Sequence, residues 1–155
     1  MEQNLQKRIE EEMHTAMKAH DELVLSTLRM VRAAISNRII EKRAKAGDGG
    51  LTEEEVIAVI RTEAKRRRDA MSEFTKAGRM ELAEKEGSEL GILERYLPAE
   101  MSDEELESIV GAVVSEMGGV SEKDFGRAMG AVVKKVAGRA SGNRVQEIVR
   151  TMMLP

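Results

Sequence analysis

Hydrophobic positions recur along this chain at intervals of three and four, the period of a helix with one face turned inward. Leu5, Ile9, Met13 and Met17 follow that spacing within residues 3–20. Asp21 is placed to cap a second helix, because its carboxylate can accept one of the unpaired N–H groups of a first turn. That helix carries Leu23, Val24, Leu28, Val31, Ile35 and Ile39 and should end near Ala46, where Gly47-Asp48-Gly49-Gly50 makes a turn. Thr52 with Glu55 forms a capping-box pattern and opens a third helix through Val56, Ile60, Ala64, Met71 and Phe74 to about Ala77. The second and third helices are each about 25 residues, or about 37 Å. So short a turn between them predicts a long antiparallel hairpin.

A fourth helix, from about Met80 to Tyr96, turns Leu82, Leu90, Leu93 and Leu97 inward. It ends before Pro98, which disfavours helical geometry in the residue preceding it. Gly87 and Gly91 lie one turn apart in its middle, and each costs about 1 kcal/mol relative to alanine. Close packing of a neighbouring helix is the expected reason, a bend the alternative. Ser102 and Glu105 repeat the capping box ahead of a fifth helix, with Leu106, Ile109, Val110, Val113 and Met117 inward and Gly118-Gly119 as its stop. The stretch from Val120 to Met153 divides into two short helices. Ser121 with Asp124 signals the start of one, and Phe125, Met129, Val132, Val133 and Val136 form its inner stripe. Gly138 stops that helix, since glycine takes the left-handed conformation common just past a helix end. Ser141 caps the last one, whose stripe is Val145, Ile148, Val149 and Met152. The fold class is therefore all-α: a long antiparallel hairpin with flanking helices over residues 1–98, then a three-helix tail over residues 99–155.

Composition agrees with helices. Aromatic residues occur three times (Phe74, Tyr96 and Phe125) and proline twice, which argues against a sheet. The 11 methionines fill core gaps in place of rings. With no cysteine, disulfides, thiol nucleophiles and cysteine-bound zinc are excluded. No apolar run approaches about 18 residues and no signal-peptide pattern follows Met1, so a soluble, cytoplasmic protein is expected. The net charge of −3 is unevenly spread. Residues 99–119 hold Glu100, Asp103, Glu104, Glu105, Glu107 and Glu116 with no Lys or Arg, a net of −6. Residues 120–155 hold seven Lys or Arg against Glu122, Asp124 and Glu147, a net of +4. Bulk charge gives no case for nucleic-acid binding; only a local patch can.

The tail segment GRAMGAVVKKVAGRASGNRVQEIV resembles the signature of the GatB/YqeY family, near G-K-V-M-x-x-x-x-x-K-x-x-G-R-A-D-G-x-x-V. LSTLRMVRAAISN (25–37), LTEEEVIAVIRTEAKRRRDAMSEFTKAGR (51–79) and AEKEGSELGILERYLP (83–98) extend the likeness in the family's order, closest to its free-standing YqeY-like members. The chain departs from the pattern at Ser141, where the family usually has Asp, and at Gly87 and Gly91, where larger residues are usual. The resemblance implies an all-helical fold whose last domain is shared with the tail of GatB, the tRNA-binding subunit of a tRNA-dependent amidotransferase. It implies tRNA binding in support of amidation or aminoacylation, with a tRNA-modifying or aminoacylating enzyme as a further partner. No catalytic cradle comes with the shared domain.

Set on these helices, Arg127, Lys134, Lys135, Arg139 and Arg144 are candidates to hold phosphates. Gly126, Gly138 and Gly142 would let a backbone come close, and Ser141 begins a helix whose free N–H groups and dipole suit a phosphate. Arg61, Lys65 and Arg68 share one face of the third helix as a second basic stripe; the plainer account is a solvated face paired with Glu63, Asp69 and Glu73. Arg67 falls on the apolar stripe, so its stem should pack there with the guanidinium paired to Glu63 or to an acid of another helix. The aromatics lie on apolar stripes or at a helix end, which disfavours base stacking and suits a structured RNA such as tRNA.

No cofactor or metal is expected. Glu11-x-x-His14 is half of a di-iron motif without its second half, and His20 reads as a helix-end residue. No nucleophile elbow, P-loop or dinucleotide glycine pattern occurs. Two alternatives stay open: a protein–protein adaptor using the hairpin and the acidic fifth helix, and an amidotransferase or amidase accessory suggested only by the family label. The RNA reading requires the tail's cations to converge on one exposed shoulder. If the carboxylates of residues 100–116 neutralise them, the adaptor takes its place.

Overall fold

In a computed structural model, described over residues 4–119 and 121–153, the hydrophobic repeat becomes α-helix throughout; Val120, at the start of the tail stretch, lies outside the described residues. The helices are α1 (Leu5–Lys18), α2 (Glu22–Ala46), α3 (Glu53–Lys76), α4 (Met80–Glu94), α5 (Asp103–Glu116), α6 (Phe125–Val136) and α7 (Gly142–Met153). A 3-10 turn, Glu122–Asp124, precedes α6, and the described residues include no strand. The fold is all-α. The chain divides into two compact units, Met1–Leu97 and Pro98–Pro155.

In the first unit the caps form where the side chains predict. The Asp21 carboxylate accepts the Val24 N–H at 3.2 Å, and Thr52 and Glu55 exchange hydrogen bonds at 3.2 and 2.8 Å. Lys42 donates to Glu55 at 2.8 Å and to the Gly50 carbonyl at 3.0 Å, closing the α2–α3 turn. That lysine, and then the Thr52 N–H, holds the Glu55 carboxyl below its ordinary pKa. Glu53 of α3 accepts the Leu5 N–H at 3.2 and 3.3 Å, so α1 begins beside the start of α3. Ile9 and Met13, Leu28, Val31 and Ile35, Val56, Ile60 and Ala64, and Ile92 and Leu93 bring all four helices into one core. Met17, Leu23 and Leu82, expected inward, are exposed. Each lies in the first or last turn of its helix.

Arg67 is buried on the inner face of α3 between two buried carboxylates. Its Nη1 donates to Glu63 at 3.0 Å and its Nε to Glu89 of α4 at 3.2 Å. Arg66 donates to the other Glu63 oxygen at 2.9 Å, and Arg67 Nη2 meets Met30 Sδ of α2 at 3.9 Å. Two guanidinium groups thus meet two carboxylates, the condition under which buried charge is tolerated. The pairing expected of Arg67 is present, and the acid from another helix is Glu89.

Tyr96 closes the α1–α4 side. Its hydroxyl donates to Glu12, Arg8 pairs with the same carboxylate at 2.9 Å, and the Arg8 guanidinium stands 4.7 Å over the ring. Burial, and then the Glu12 carboxylate, push the phenol well above its ordinary pKa. The two glycines of α4 differ. A Cβ on Gly87 would stand 3.2 Å from Met71 Sδ, whereas one on Gly91 would meet nothing within 4 Å. Close packing accounts for Gly87 only.

The second unit packs Leu106, Val110 and Val113 of α5 against Ala128, Val132 and Val136 of α6 and Val145, Val149 and Met153 of α7. Ser102 and Glu105 form the expected capping box, both bonds at 3.1 Å. Ser121 starts the 3-10 turn rather than α6 itself, with its N–H and hydroxyl both donated to Asp124. Val133 is half-exposed because Ala128, Val132 and Val136, four apart, set the inner face about 100° away. Met152, near the end of α7, is likewise exposed. The stop after α6 comes one residue early: Ala137 is already left-handed at φ 49°, ahead of Gly138 at φ 78°.

Two expectations follow. Gly91→Ala should stabilise the protein to urea by about 0.5–1 kcal/mol through helix propensity, and Gly87→Ala by less, because Met71 must move. Tyr96 is the only tyrosine, so tyrosinate absorbance reports it alone. A raised folded pKa means that its contribution is complete below about pH 10, the unfolded value, and is lost as pH rises toward the folded value. Native protein should titrate well above the urea-unfolded chain, and Tyr96→Phe should flatten that alkaline loss of stability. Coincident midpoints would contradict the buried Tyr96–Glu12 contact.

Candidate nucleic-acid interface

The candidate cations of the tail are held by α6, by the turn after it and by the first turn of α7. Ser141 caps α7 as expected, its Oγ accepting the Arg144 N–H at 3.3 Å, which sets the direction in which Arg144 leaves the helix. The segment before α5 runs alongside this turn: the Met101 N–H donates to the Arg139 carbonyl at 2.8 Å. Arg144 Nη2 donates to Asp103 at 2.6 Å and to the Met101 carbonyl at 2.9 Å, with Glu100 4.0 Å from Nη1. Arg139 donates to the Ala99 carbonyl at 3.3 Å and to Glu105 at 3.5 Å. These two arginines clasp residues 99–105 to the α6–α7 turn.

The remaining cations lie along α6. Lys135 pairs with Glu116 of α5 at 3.3 Å, and Arg127 with Asp124 at 3.5 Å. Hydrogen bonds from the Ser121 N–H and hydroxyl hold the Asp124 carboxyl below its ordinary pKa. Among the described residues no carboxylate comes within ion-pair distance of Lys134, which is exposed. Arg127 and Lys134 are two turns apart on one face, about 10.5 Å along the axis. Gly126 and Gly130 share that side, and a Cβ on either would meet nothing within 4 Å. Gly142 is equally open, at the start of α7.

Residues 6–153 match the family described as Yqey-like protein. The chain belongs to the YqeY-like family. It is 33% identical over 100 residues to an uncharacterised protein of Schizosaccharomyces pombe, covering 64% of this chain and 77% of that one. It is 32% identical over 112 residues to altered inheritance of mitochondria protein 41, mitochondrial, of Kluyveromyces lactis, covering 70% of this chain. The second match spans 58% of the Kluyveromyces protein.

The second basic stripe of this YqeY-like chain is largely answered within its own unit. Lys65 pairs with Asp69 at 3.3 Å and Arg68 with Glu94 of α4 at 3.6 Å, while Arg61 is half-buried. His14 is exposed, and His20 is exposed just past α1 at φ 56°. Among the described residues no three His, Asp or Glu side chains gather as a metal site would need, and no helix is long and apolar enough to cross a membrane.

Of the nine tail candidates, Gly138, Arg139, Ser141, Gly142 and Arg144 meet at one turn, while Gly126, Arg127, Lys134 and Lys135 line α6. Sequence reasoning raised neutralisation by residues 100–116 and missed the backbone half of the clasp, the Ala99 and Met101 carbonyls. The signal of its charged half was present as a block of −6 directly followed by one of +4. Arg144→Gln should destabilise the tail unit by about 1–2 kcal/mol, since it removes a charge-assisted bond to a partly buried carbonyl with a largely exposed ion pair. Lys134→Gln should change stability by no more than about 0.5 kcal/mol. Urea unfolding followed by far-ultraviolet circular dichroism checks both, and equal effects would remove the distinction between clasp and open face.

Proposed function

We propose that this protein binds structured RNA, tRNA above all, in the cytoplasm, in support of tRNA amidation or aminoacylation and without chemistry of its own. The observation that carries this is the outer side of α6, where exposed Arg127 and Lys134 stand beside the open Gly130 and Gly126 positions, with Lys135 about 100° further round the helix. Long cationic side chains over a low helical surface suit a phosphate backbone recognised by charge and shape. The resemblance of the tail signature to the tail of GatB supports the same reading.

The clasp narrows the proposal. Arg139 and Arg144 are engaged by the fold and are withdrawn as phosphate contacts. The Lys135–Glu116 and Arg127–Asp124 pairs are exposed and loose, and such pairs contribute about 0–1 kcal/mol. A phosphate can replace either carboxylate at little cost. One observation favours a second reading, that of a protein–protein adaptor. Seven Lys or Arg against nine Asp or Glu leave residues 98–155 at a net of −2, with three of the five tail cations paired to residues 100–116.

Filter binding of tRNA over a range of salt separates the two. The three α6 contacts should contribute about −3 to the slope of log affinity against log salt, and Lys134→Gln should reduce its magnitude by about one. Arg144→Gln should leave the slope unchanged wherever the variant is folded. Absence of tRNA affinity at about 50 mM salt, with a protein complex captured after nuclease treatment, would leave the adaptor.

A further inference from the structure

The most basic helix of the protein is α2, in the first unit. From Glu22 to Ala46 it carries Arg29, Arg32, Arg38, Lys42, Arg43 and Lys45 against Glu22 and Glu41, a net of +4. Two of these cations are occupied: Lys42 by Glu55 and the Gly50 carbonyl, Arg38 by Glu41 at 3.4 Å. Arg29, Arg32 and Arg43 are exposed, and among the described residues no carboxylate comes within ion-pair distance of any of them. At 100° per residue the three fall within about 60° of arc, spread over about 21 Å of helix. Ser36 lies between them on the same arc, with Ala33 beside it, and both are exposed. The ridge is low from Arg29 to Ser36, where a rigid polyanion has room to lie along it, and the exposed Ile40 stands beside the line between Ser36 and Arg43.

We infer that one exposed flank of α2, through Arg29, Arg32 and Arg43, is a second line along which the phosphate backbone of a structured RNA runs. The inference rests on the RNA-binding reading and gives it a site in the first unit, separate from α6. Arginine fits this use because its planar fork can offer two parallel N–H bonds to one phosphate. An anionic membrane is the weaker match. A helix lying on a bilayer needs its apolar face free to enter it, whereas Leu25, Leu28, Val31 and Ile35 of α2 are buried in the core of the unit. An acidic protein would be met by ion pairs without needing arginines aligned over so long a rise.

The test uses the full chain, unfractionated tRNA, and vesicles containing one anionic lipid. Three proteins are compared: the unaltered chain, Arg29→Gln/Arg32→Gln/Arg43→Gln, and Arg127→Gln/Lys134→Gln/Lys135→Gln. Glutamine keeps helix propensity at these exposed positions, and circular dichroism confirms folding. The α2 variant should lower the magnitude of the salt slope for tRNA by about three, and lysine at the same three positions should restore it. If the α2 variant binds tRNA with the unaltered slope while the α6 variant loses it, the inference fails and the α6 site stands. If only the α2 variant loses slope, the inference stands and the α6 site fails. If the unaltered chain binds no tRNA, both fail. Vesicle binding abolished by the α2 substitutions, with tRNA binding intact, overturns the inference in favour of a lipid surface.

Discussion

Arg144 reaches from the first turn of α7 to Asp103 and the Met101 carbonyl, and the tail unit is arranged around that reach. The contact joins residues about forty positions apart and fixes the approach of the segment that feeds α5. Arg139 repeats it from the preceding turn, with the Ala99 carbonyl and Glu105. The acidic and basic blocks of the sequence are thus complementary parts of one small unit, whose core of Leu106, Val110, Val132, Val145 and Val149 is modest. A unit of that size has little apolar surface to bury, so polar contacts across its seam matter more than in a larger domain. Two guanidinium groups are thereby engaged within the fold itself.

The first unit handles charge differently. Arg67, Glu63 and Glu89 are inside, tying α3 to α4 and, through Met30, to α2. Buried ion pairs contribute little net stability but make departures from their geometry costly. With this network inward and Lys42 holding the α2–α3 turn, one flank of α2 keeps arginines that the fold does not use. Surface charge in this protein is best read by subtraction, because only cations left over from folding are available to a partner.

Local signals were the legible part of the sequence. Both capping boxes, the Asp21 and Ser141 caps and the glycine turn after Ala46 act over three or four residues, and each formed as its side chains dictate. Arg67 was legible for a related reason: an arginine on an apolar stripe has to bring an acid inside with it. The acidic block that Arg139 and Arg144 meet was legible as a possible neutraliser, but the pairing of each arginine with Glu105 or Asp103 was not, since thirty to forty residues separate those partners. Val133 and Ala137 failed for subtler reasons. Three successive inner positions four apart rotate the face away from Val133, and an alanine took the left-handed turn that glycine would take at less cost.

The seam closed by Arg139 and Arg144 also sets where the tail can be cut. A fragment starting at Asp103, where α5 begins, would discard the Ala99 and Met101 carbonyls, the Met101 N–H and the buried Met101 side chain. Both guanidinium groups would lose backbone acceptors and the hydrophobic centre one of its walls. A fragment that keeps this seam therefore has to include the irregular leader from Ala99, four residues ahead of the first helical residue.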